Sequence, residues 1–299
     1  MRIAEFFLPL RAGVSTYVRI ANPKGKGIPL LILHGGPGST HNSLELLDPL
    51  AEVGDRPLVY YDQFGCGPSS VSNDPKDYSA EGWIEELDLL RKHLGFKEAI
   101  LLGHSWGGML LQLYLQSKGQ DGIKGIVLSS TLCSASLWKE ETHKLIKKMS
   151  PEDQETIRKA EANNDYSSAE FKEATERYMK MTVSDIPNND SSVPECLRRK
   201  KNSGSVSYLS AWGESEFAPT GSLNSYDTRP FLPSIHCPTL VLYGGKDEST
   251  KLQNETMFNL LGSEQKSIHC FENSRHMSYY ESREAYLEVV SSFLDSLGE

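Results

Sequence analysis

Ser105 lies in Gly103-His104-Ser105-Trp106-Gly107, which matches the pattern G-x-S-x-G. Where this pattern is functional, a sharp turn between a strand and a helix exposes the serine hydroxyl, and the glycines leave room for the turn. Glycine is common enough that the pattern also arises by chance, so its surroundings must support a nucleophile. The chemistry it predicts is acyl transfer through Ser105.

A serine hydroxyl becomes a good nucleophile when a histidine accepts its proton and a carboxylate orients that histidine. In proteins with this serine turn, the acid follows the serine along the chain and the histidine comes last. Asp247 and His276 have this order, and each follows an apolar run. We expect Ser105, Asp247 and His276 to form a catalytic triad, with Asp227 as the alternative acid.

The oxyanion that forms during acyl transfer needs two backbone N–H donors. One donor is expected from Trp106, directly after the nucleophile. The other is expected from the glycine-rich segment His34-Gly35-Gly36-Pro37-Gly38, which follows the first apolar run. Because Pro37 has no N–H group, Gly36 is the predicted donor.

Short apolar runs that end near glycine or polar residues indicate the buried strands that must position these side chains. The runs are residues 28–33, 58–61, 99–102, 126–129, 238–243 and 266–271. Ser79 is placed to cap a helix between the second and third runs, and residues 284–297 form a closing amphipathic helix. Alternation of strands and helices predicts an α/β fold with a mostly parallel sheet.

The character of the chain changes after Thr131, where charged residues increase and strand-like runs stop until about residue 231. We interpret residues 131–230 as an inserted helical cap, with helical patterns at residues 139–149 and 169–181. Residues 1–130 and 231–299 then form the core.

The composition indicates which binding partners and which cellular location to expect for the protein. The net charge is −9 and the isoelectric point is near 5.5, so nucleic acid is not expected as a partner. No run of residues approaches the roughly 20 apolar residues of a membrane helix. The apolar stretch within residues 1–14 is too short for the core of a signal peptide, so we expect a cytoplasmic enzyme. The five cysteines are scattered and form no C-x-x-C pair, which predicts reduced thiols and no bound metal.

Three segments together resemble the proline iminopeptidase family of α/β-hydrolases. They are residues 34–38, residues 103–108 and Asp62-Gln63-Phe64-Gly65-Cys66-Gly67, and the similarity runs along the whole chain. Gly213-Glu214-Ser215-Glu216-Phe217 is similar to the G-P-x-E-F segment of the tricorn-interacting aminopeptidase type. Glu214 departs from that segment, because it stands where the pattern has proline.

The resemblance implies an α/β-hydrolase fold and a serine aminopeptidase that needs no cofactor. Its substrates would be short peptides or amino-acid amides with a free N-terminus, from which it would release proline or another apolar residue. The family's two amine-binding glutamates correspond to Glu216 and Glu248. Physically, an ammonium group taken out of water needs carboxylate partners.

Two other readings stay open at this point. The same triad would serve an esterase, a lactonase or an amino-acid amidase, because one fold supports many chemistries. The chain could also be a ligand-binding protein on an inactive hydrolase scaffold. Four aromatic residues could either line a substrate pocket or pack in the core, namely Phe64, Trp106, Tyr208 and Trp212.

Overall fold

The computed structural model describes residues 1–11, 13–187, 190–199 and 204–298. Its described strands form one eight-stranded sheet in the order β1-β2-β4-β3-β5-β6-β7-β8. The strands are β1 Ile3–Arg11, β2 Val14–Ala21, β3 Leu30–Leu33, β4 Leu58–Tyr61, β5 Ala99–His104, β6 Ile123–Ser129, β7 Thr239–Gly244 and β8 Lys266–Phe271.

The six strands from β3 to β8 pair in parallel, whereas β1 and β2 are antiparallel at one edge. Each of the six predicted apolar runs is one of these parallel strands. The prediction that the first strand starts at residue 28 is wrong by two residues. Pro29 lacks the N–H that pairing requires, and the strand begins at Leu30.

The edge strands β1 and β2 were not predicted. In β1, exposed residues alternate with half-buried ones, so the strand has no unbroken apolar run. A strand with one face exposed to solvent has this alternating pattern, and polar residues such as Glu5 make the strand harder to recognise from sequence.

Helices cover both faces of the sheet. The described helices are α1 Ala80–His93, α2 Trp106–Lys118, α3 Ala135–Ile146, α4 Pro151–Asn163, α5 Ala169–Thr182, α6 Glu195–Arg198, α7 Ser205–Ala211, α8 Lys251–Leu260, α9 Ser278–Glu281 and α10 Arg283–Ser296. On one face α1, α2 and α8 pack against alternate strand residues such as Leu31 and Leu33. On the other face, α10 and the 3-10 segment Asn42–Asp55 pack against Leu30 and Ile32.

Helix α1 begins as its sequence predicts. The side chain of Ser79 accepts a hydrogen bond from the Gly82 N–H at 3.1 Å, and the helix ends two residues before Gly95. This cap satisfies one of the N–H groups that a helix leaves unpaired at its start. Helix α1 connects β4 to β5, and the serine turn follows at the end of β5, a central strand of the sheet.

Helices α3 to α7 lie between β6 and β7, and among the described residues of 131–230 there is no strand. Part of this segment has an apolar cluster of its own, built around Ile157, Phe171, Tyr178 and Phe217. Division of the chain into a core and a cap at 131–230 stays a prediction. Residues 188, 189 and 200–203 of that cap, and residues 12 and 299 of the core, lie outside the described residues.

Candidate active site

Ser105 lies in a strained turn between β5 and α2. Its backbone has φ 55° and ψ −124°, a conformation that residues with a side chain rarely adopt. The glycines around it are sterically required, because a Cβ on Gly103 would lie 2.4 Å from the Gly107 carbonyl oxygen. A Cβ on Gly107 would lie 2.1 Å from the carbonyl oxygen of Leu33. The turn thus holds the serine at the carboxyl edge of the sheet.

His276 contacts Asp247 in the interior. The imidazole Nδ1 lies 2.7 Å from the Asp247 Oδ1, and both residues are buried. The same oxygen accepts the Ser249 N–H at 2.8 Å, and the backbone N–H of His276 donates to the Thr182 carbonyl at 3.0 Å. With Nδ1–H directed at the carboxylate, Nε2 is the nitrogen able to accept a proton.

The alternative acid, Asp227, does not occupy this position. Its carboxylate pairs with Arg229 at 2.6 Å. Asp247 follows β7 and His276 follows β8, so parallel strand order brings both to the edge where Ser105 lies.

Most of the predicted site residues line one cavity of about 340 Å³. Its lining includes Ser105 and His276 from the core, and Glu216 and Tyr208 from the segment between β6 and β7. It also includes Gly35, Gly36, His104, Glu248, Met179 and Tyr279. The cavity is therefore lined by the predicted nucleophile, the predicted base and both predicted amine-binding glutamates.

Trp106 is not among the residues that line this cavity; it is the first residue of α2, directly after Ser105. Its ring is buried in the core, where it packs against Trp83. Phe64 and Trp212 also belong to the core cluster. Of the four aromatic residues considered from sequence, Tyr208 alone lines the cavity.

The glycine-rich loop after β3 stands beside the serine. A Cβ on Gly35 would lie 3.1 Å from the Ser105 Cβ, and its neighbour Gly36 has φ +116° and lines the cavity. Gly36 and Ser105 therefore line the same cavity, and helix α2 begins at Trp106, directly after Ser105. Its polarity suits an oxyanion, because the N-terminus of a helix carries partial positive charge.

Gln63 connects the parts of this site, a link that sequence reasoning missed. Its amide nitrogen donates to the His34 carbonyl at 3.0 Å, and its amide oxygen accepts the Trp106 indole N–H at 2.8 Å. The side chain thereby ties the glycine-rich loop to the serine turn. Gln63 belongs to the Asp62–Gly67 segment that resembles the family, but no local sequence pattern reveals a contact across 43 residues.

The two glutamates converge from different segments. Glu248 is buried, and its Oε1 lies 3.9 Å from the His276 Nδ1, while its Oε2 has no hydrogen-bond partner among the described residues. Glu216 is half-buried and accepts a short hydrogen bond from the Tyr208 hydroxyl. An unpaired buried carboxylate oxygen is costly, which marks this place as suited to a cation.

The charges around His276 change its protonation. Burial lowers the pKa of His276, but Asp247, Glu248 and Glu216 outweigh it and raise the value to about 9. Burial raises the pKa of Glu216, and it raises the pKa of Glu248 well above the ordinary range. Burial and the neighbouring His276 lower the pKa of His104, so His104 stays neutral.

Comparison with known proteins assigns the family. A proline iminopeptidase of Clostridioides difficile (strain 630) is 45% identical over 298 residues, which is 99% of each chain. One from Lactobacillus acidophilus is 39% identical over 297 residues, again 99% of each chain. This chain belongs to the proline iminopeptidase family. The family model of the alpha/beta hydrolase fold matches residues 28–282.

Solved structures agree with the fold. The crystal structure of VinJ has a TM-score of 0.86 at 29% identity and covers 98% of this chain and 99% of its own. The proline iminopeptidase of Mycobacterium smegmatis has a TM-score of 0.85 at 24% identity, with 98% of each chain covered. The α/β-hydrolase fold and the enzyme class, a serine aminopeptidase, are thus confirmed. The tricorn-interacting type stays a prediction.

Proposed function

We propose that this protein releases an N-terminal residue, proline or another apolar residue, from short peptides or amino-acid amides. One observation carries this proposal. A single cavity is lined both by Ser105 with its histidine and by two carboxylates, Glu216 and Glu248. A free amine bound by the carboxylates would place the adjacent carbonyl carbon near the serine hydroxyl.

In the first half-reaction, the Ser105 Oγ attacks the carbonyl carbon of the N-terminal residue, and His276 Nε2 takes the hydroxyl proton. The oxyanion accepts hydrogen bonds from the backbone N–H groups of Gly36 and Trp106, and each donor lowers the barrier by roughly 3 kcal/mol. When the C–N bond breaks, the imidazolium returns its proton to the leaving nitrogen. The products are an acyl-enzyme on Ser105 and a shortened peptide or ammonia.

Water completes the cycle. His276 takes a proton from a water molecule whose oxygen attacks the ester carbonyl on Ser105, and the same two N–H groups hold the second oxyanion. The imidazolium then protonates Ser105 Oγ as the ester bond breaks, and the free amino acid leaves. Asp247 keeps the imidazole in one orientation and stabilises its charged form throughout.

Selectivity for a free N-terminus follows from the buried carboxylates. A substrate ammonium can pair with Glu216 and with the unpartnered oxygen of Glu248. An acetylated N-terminus has no charge to offer, so it would leave the carboxylates without a partner at a large cost. The cavity of about 340 Å³ suits a small residue at this position better than a long chain.

A panel of aminoacyl-arylamides tests this function. Each is offered with a free and with an acetylated amine to the wild type, to Glu216→Gln, and to Glu214→Gln as the control. Glu214 is an exposed carboxylate two residues away and does not line the cavity. We expect free-amine prolyl or other apolar substrates to be cleaved, with loss in Glu216→Gln alone. Equal turnover of acetylated substrates would contradict the proposal.

We also propose a cytoplasmic location. The five cysteines are free thiols in the structure, and four of them are buried. Reduced thiols are usual where the surroundings are reducing. Separately, none of the described helices is long and apolar enough to cross a membrane.

A further inference from the structure

His276 faces two carboxylates rather than one. Its Nδ1 lies 2.7 Å from Asp247 Oδ1 and 3.9 Å from Glu248 Oε1, and all three side chains are buried. Orientation of the imidazole needs only Asp247, so Glu248 adds a second negative group that the triad does not require. Opposite charges at this separation interact strongly when water is excluded.

The other groups around His276 do not cancel this effect. The neighbouring ring of His104 is neutral, with its centroid 4.8 Å from that of His276. Arg275 is next in the chain, but its guanidinium is paired with Glu281 at 2.6 Å. Among the residues that the structure describes, the titratable groups around the imidazole are Asp247 and Glu248 after β7, Glu216 and Tyr208 near α7, Tyr178 on α5, His104 on β5 and Tyr279 on α9.

Before an amine binds, this arrangement favours a charged histidine. Glu248 lies 3.9 Å from the imidazole and Glu216 lines the same cavity, and negative charge on either carboxylate favours the imidazolium. With Asp247 that charge keeps the pKa of His276 at about 9. A protonated His276 cannot accept the proton of Ser105, so at neutral pH the base is blocked.

We propose that the substrate's own ammonium group releases this block: by pairing with Glu216 and Glu248, it frees His276 to give up its extra proton and act as the base. This rests on the proposed function, because it requires an amine at the two glutamates. One positive charge enters as the ammonium, and one proton leaves the imidazolium for water. Glu248 is then a specificity-determining residue that acts on catalysis as well as on binding.

The mechanism predicts two separate penalties for a substrate without an amine. It binds less tightly, and it also meets an enzyme whose base is protonated. A neutral ester such as 4-nitrophenyl propionate isolates the second penalty, because its binding owes nothing to the carboxylates. Its hydrolysis by the wild type, corrected with Ser105→Ala, should rise with pH toward a midpoint near pH 9.

Replacement of Glu248 by glutamine should then have opposite effects on two substrates. For the ester, the midpoint of the rise in kcat/KM should move down by at least one pH unit, which is about a tenfold gain at pH 7. For a prolyl-arylamide, the same variant should lose activity. Glu214→Gln, which removes an exposed charge outside the cavity, should change neither profile.

A second experiment uses the unaltered enzyme. Propylammonium chloride should activate hydrolysis of the ester by the wild type at pH 7 by up to about tenfold. Propanol and sodium chloride at equal concentrations should not activate it. In Glu248→Gln, propylammonium should activate less than in the wild type, since one of the two carboxylates with which it would pair is absent.

The outcomes separate this inference from the proposed function. Loss of prolyl-arylamide cleavage in Glu248→Gln, with the ester profile unmoved and no activation by propylammonium, would overturn the inference and leave the aminopeptidase intact. Undiminished prolyl-arylamide cleavage in both Glu216→Gln and Glu248→Gln would overturn the proposed amine site and the inference together. A shifted ester profile with activation by propylammonium supports both.

Discussion

The N–H of Gly204 donates a hydrogen bond to the carbonyl oxygen of Gly38 at 2.8 Å. Gly204 precedes α7, and Gly38 ends the glycine-rich loop that carries the predicted oxyanion donor Gly36. The three backbones of Gly38, Gly65 and Gly204 approach so closely that a Cβ on Gly204 would lie 2.1 Å from the Gly65 carbonyl oxygen. The segment between β6 and β7 is thus joined directly to the loop that carries the predicted oxyanion donor.

Gly204→Ala should therefore lower kcat by tenfold or more, because the added methyl group pushes α7 and the glycine-rich loop apart. Displacement of a donor by about 1 Å is enough for such a loss. Gly82→Ala in α1 is the matched control, since its Cβ would make only ordinary contact, 3.4 Å from the Ser79 Oγ. Steady-state kinetics on a prolyl-arylamide measure the effect. Equal kcat in both variants would refute the coupling.

Backbone strain at Ser105 should lower the stability of the fold, although activity requires the serine at this position. The φ of 55° costs about 1–3 kcal/mol for a residue with a side chain, and glycine adopts it at little cost. Ser105→Gly and Ser105→Ala should both be inactive, but Ser105→Gly should unfold at a higher urea concentration than Ser105→Ala. Chemical unfolding with a common m-value checks this. If Ser105→Ala were the more stable variant, the turn would not be strained.

Asp247→Asn should reduce kcat by about 10⁴-fold with little change in KM. An amide at this position no longer requires Nδ1 of His276 to carry the proton, so Nε2 is wrongly protonated in much of the enzyme. Asp227→Asn is the control, because that carboxylate pairs with Arg229. A loss in Asp227→Asn comparable to that in Asp247→Asn would show that the acid has been assigned to the wrong residue.

Glu86 should make the fold less stable as pH rises. It is fully buried under the loop after β4, where it accepts hydrogen bonds from the Phe64 N–H and the Thr16 hydroxyl. Burial raises its pKa from 4.5 to about 7 despite these bonds. The folded protein then binds more protons than the unfolded chain between these values, so this contribution to stability is present below pH 4.5 and lost by pH 7.

Glu86→Gln removes that dependence while its amide can still accept from Phe64 and donate to Thr16. Relative to Glu86→Gln, the wild type should lose roughly 3 kcal/mol of unfolding free energy between pH 4.5 and pH 8. Urea unfolding of both proteins across this range provides the measurement. A stability difference that stays constant with pH would mean that Glu86 remains ionised in the fold.

The triad candidates could be found from sequence because each one follows a local apolar pattern that predicts a buried strand. Ser105, Asp247 and His276 each follow a buried strand, and parallel strands bring such residues to one edge. The family resemblance supplied Glu216 and Glu248, which no periodicity would have identified. Both do line the cavity.

The sequence did not predict the contacts between distant segments. It also did not predict the two antiparallel strands at the edge of the sheet. Gln63 joins two loops through hydrogen bonds, and Tyr208 reaches Glu216 from a helix that apolar patterns did not indicate. Strands β1 and β2 show only alternation along a half-exposed surface. These contacts and strands depend on tertiary packing, which local sequence preferences alone do not determine.

The central claim is that Ser105 carries the acyl group of the N-terminal residue during turnover. Rapid acid quenching of the wild type with a prolyl-arylamide, followed by peptide mapping in a mass spectrometer, tests this directly. We predict a prolyl mass increment on the peptide that contains Ser105, and no increment in Ser105→Ala. A prolyl adduct on another residue, or turnover that persists in Ser105→Ala, would contradict the account.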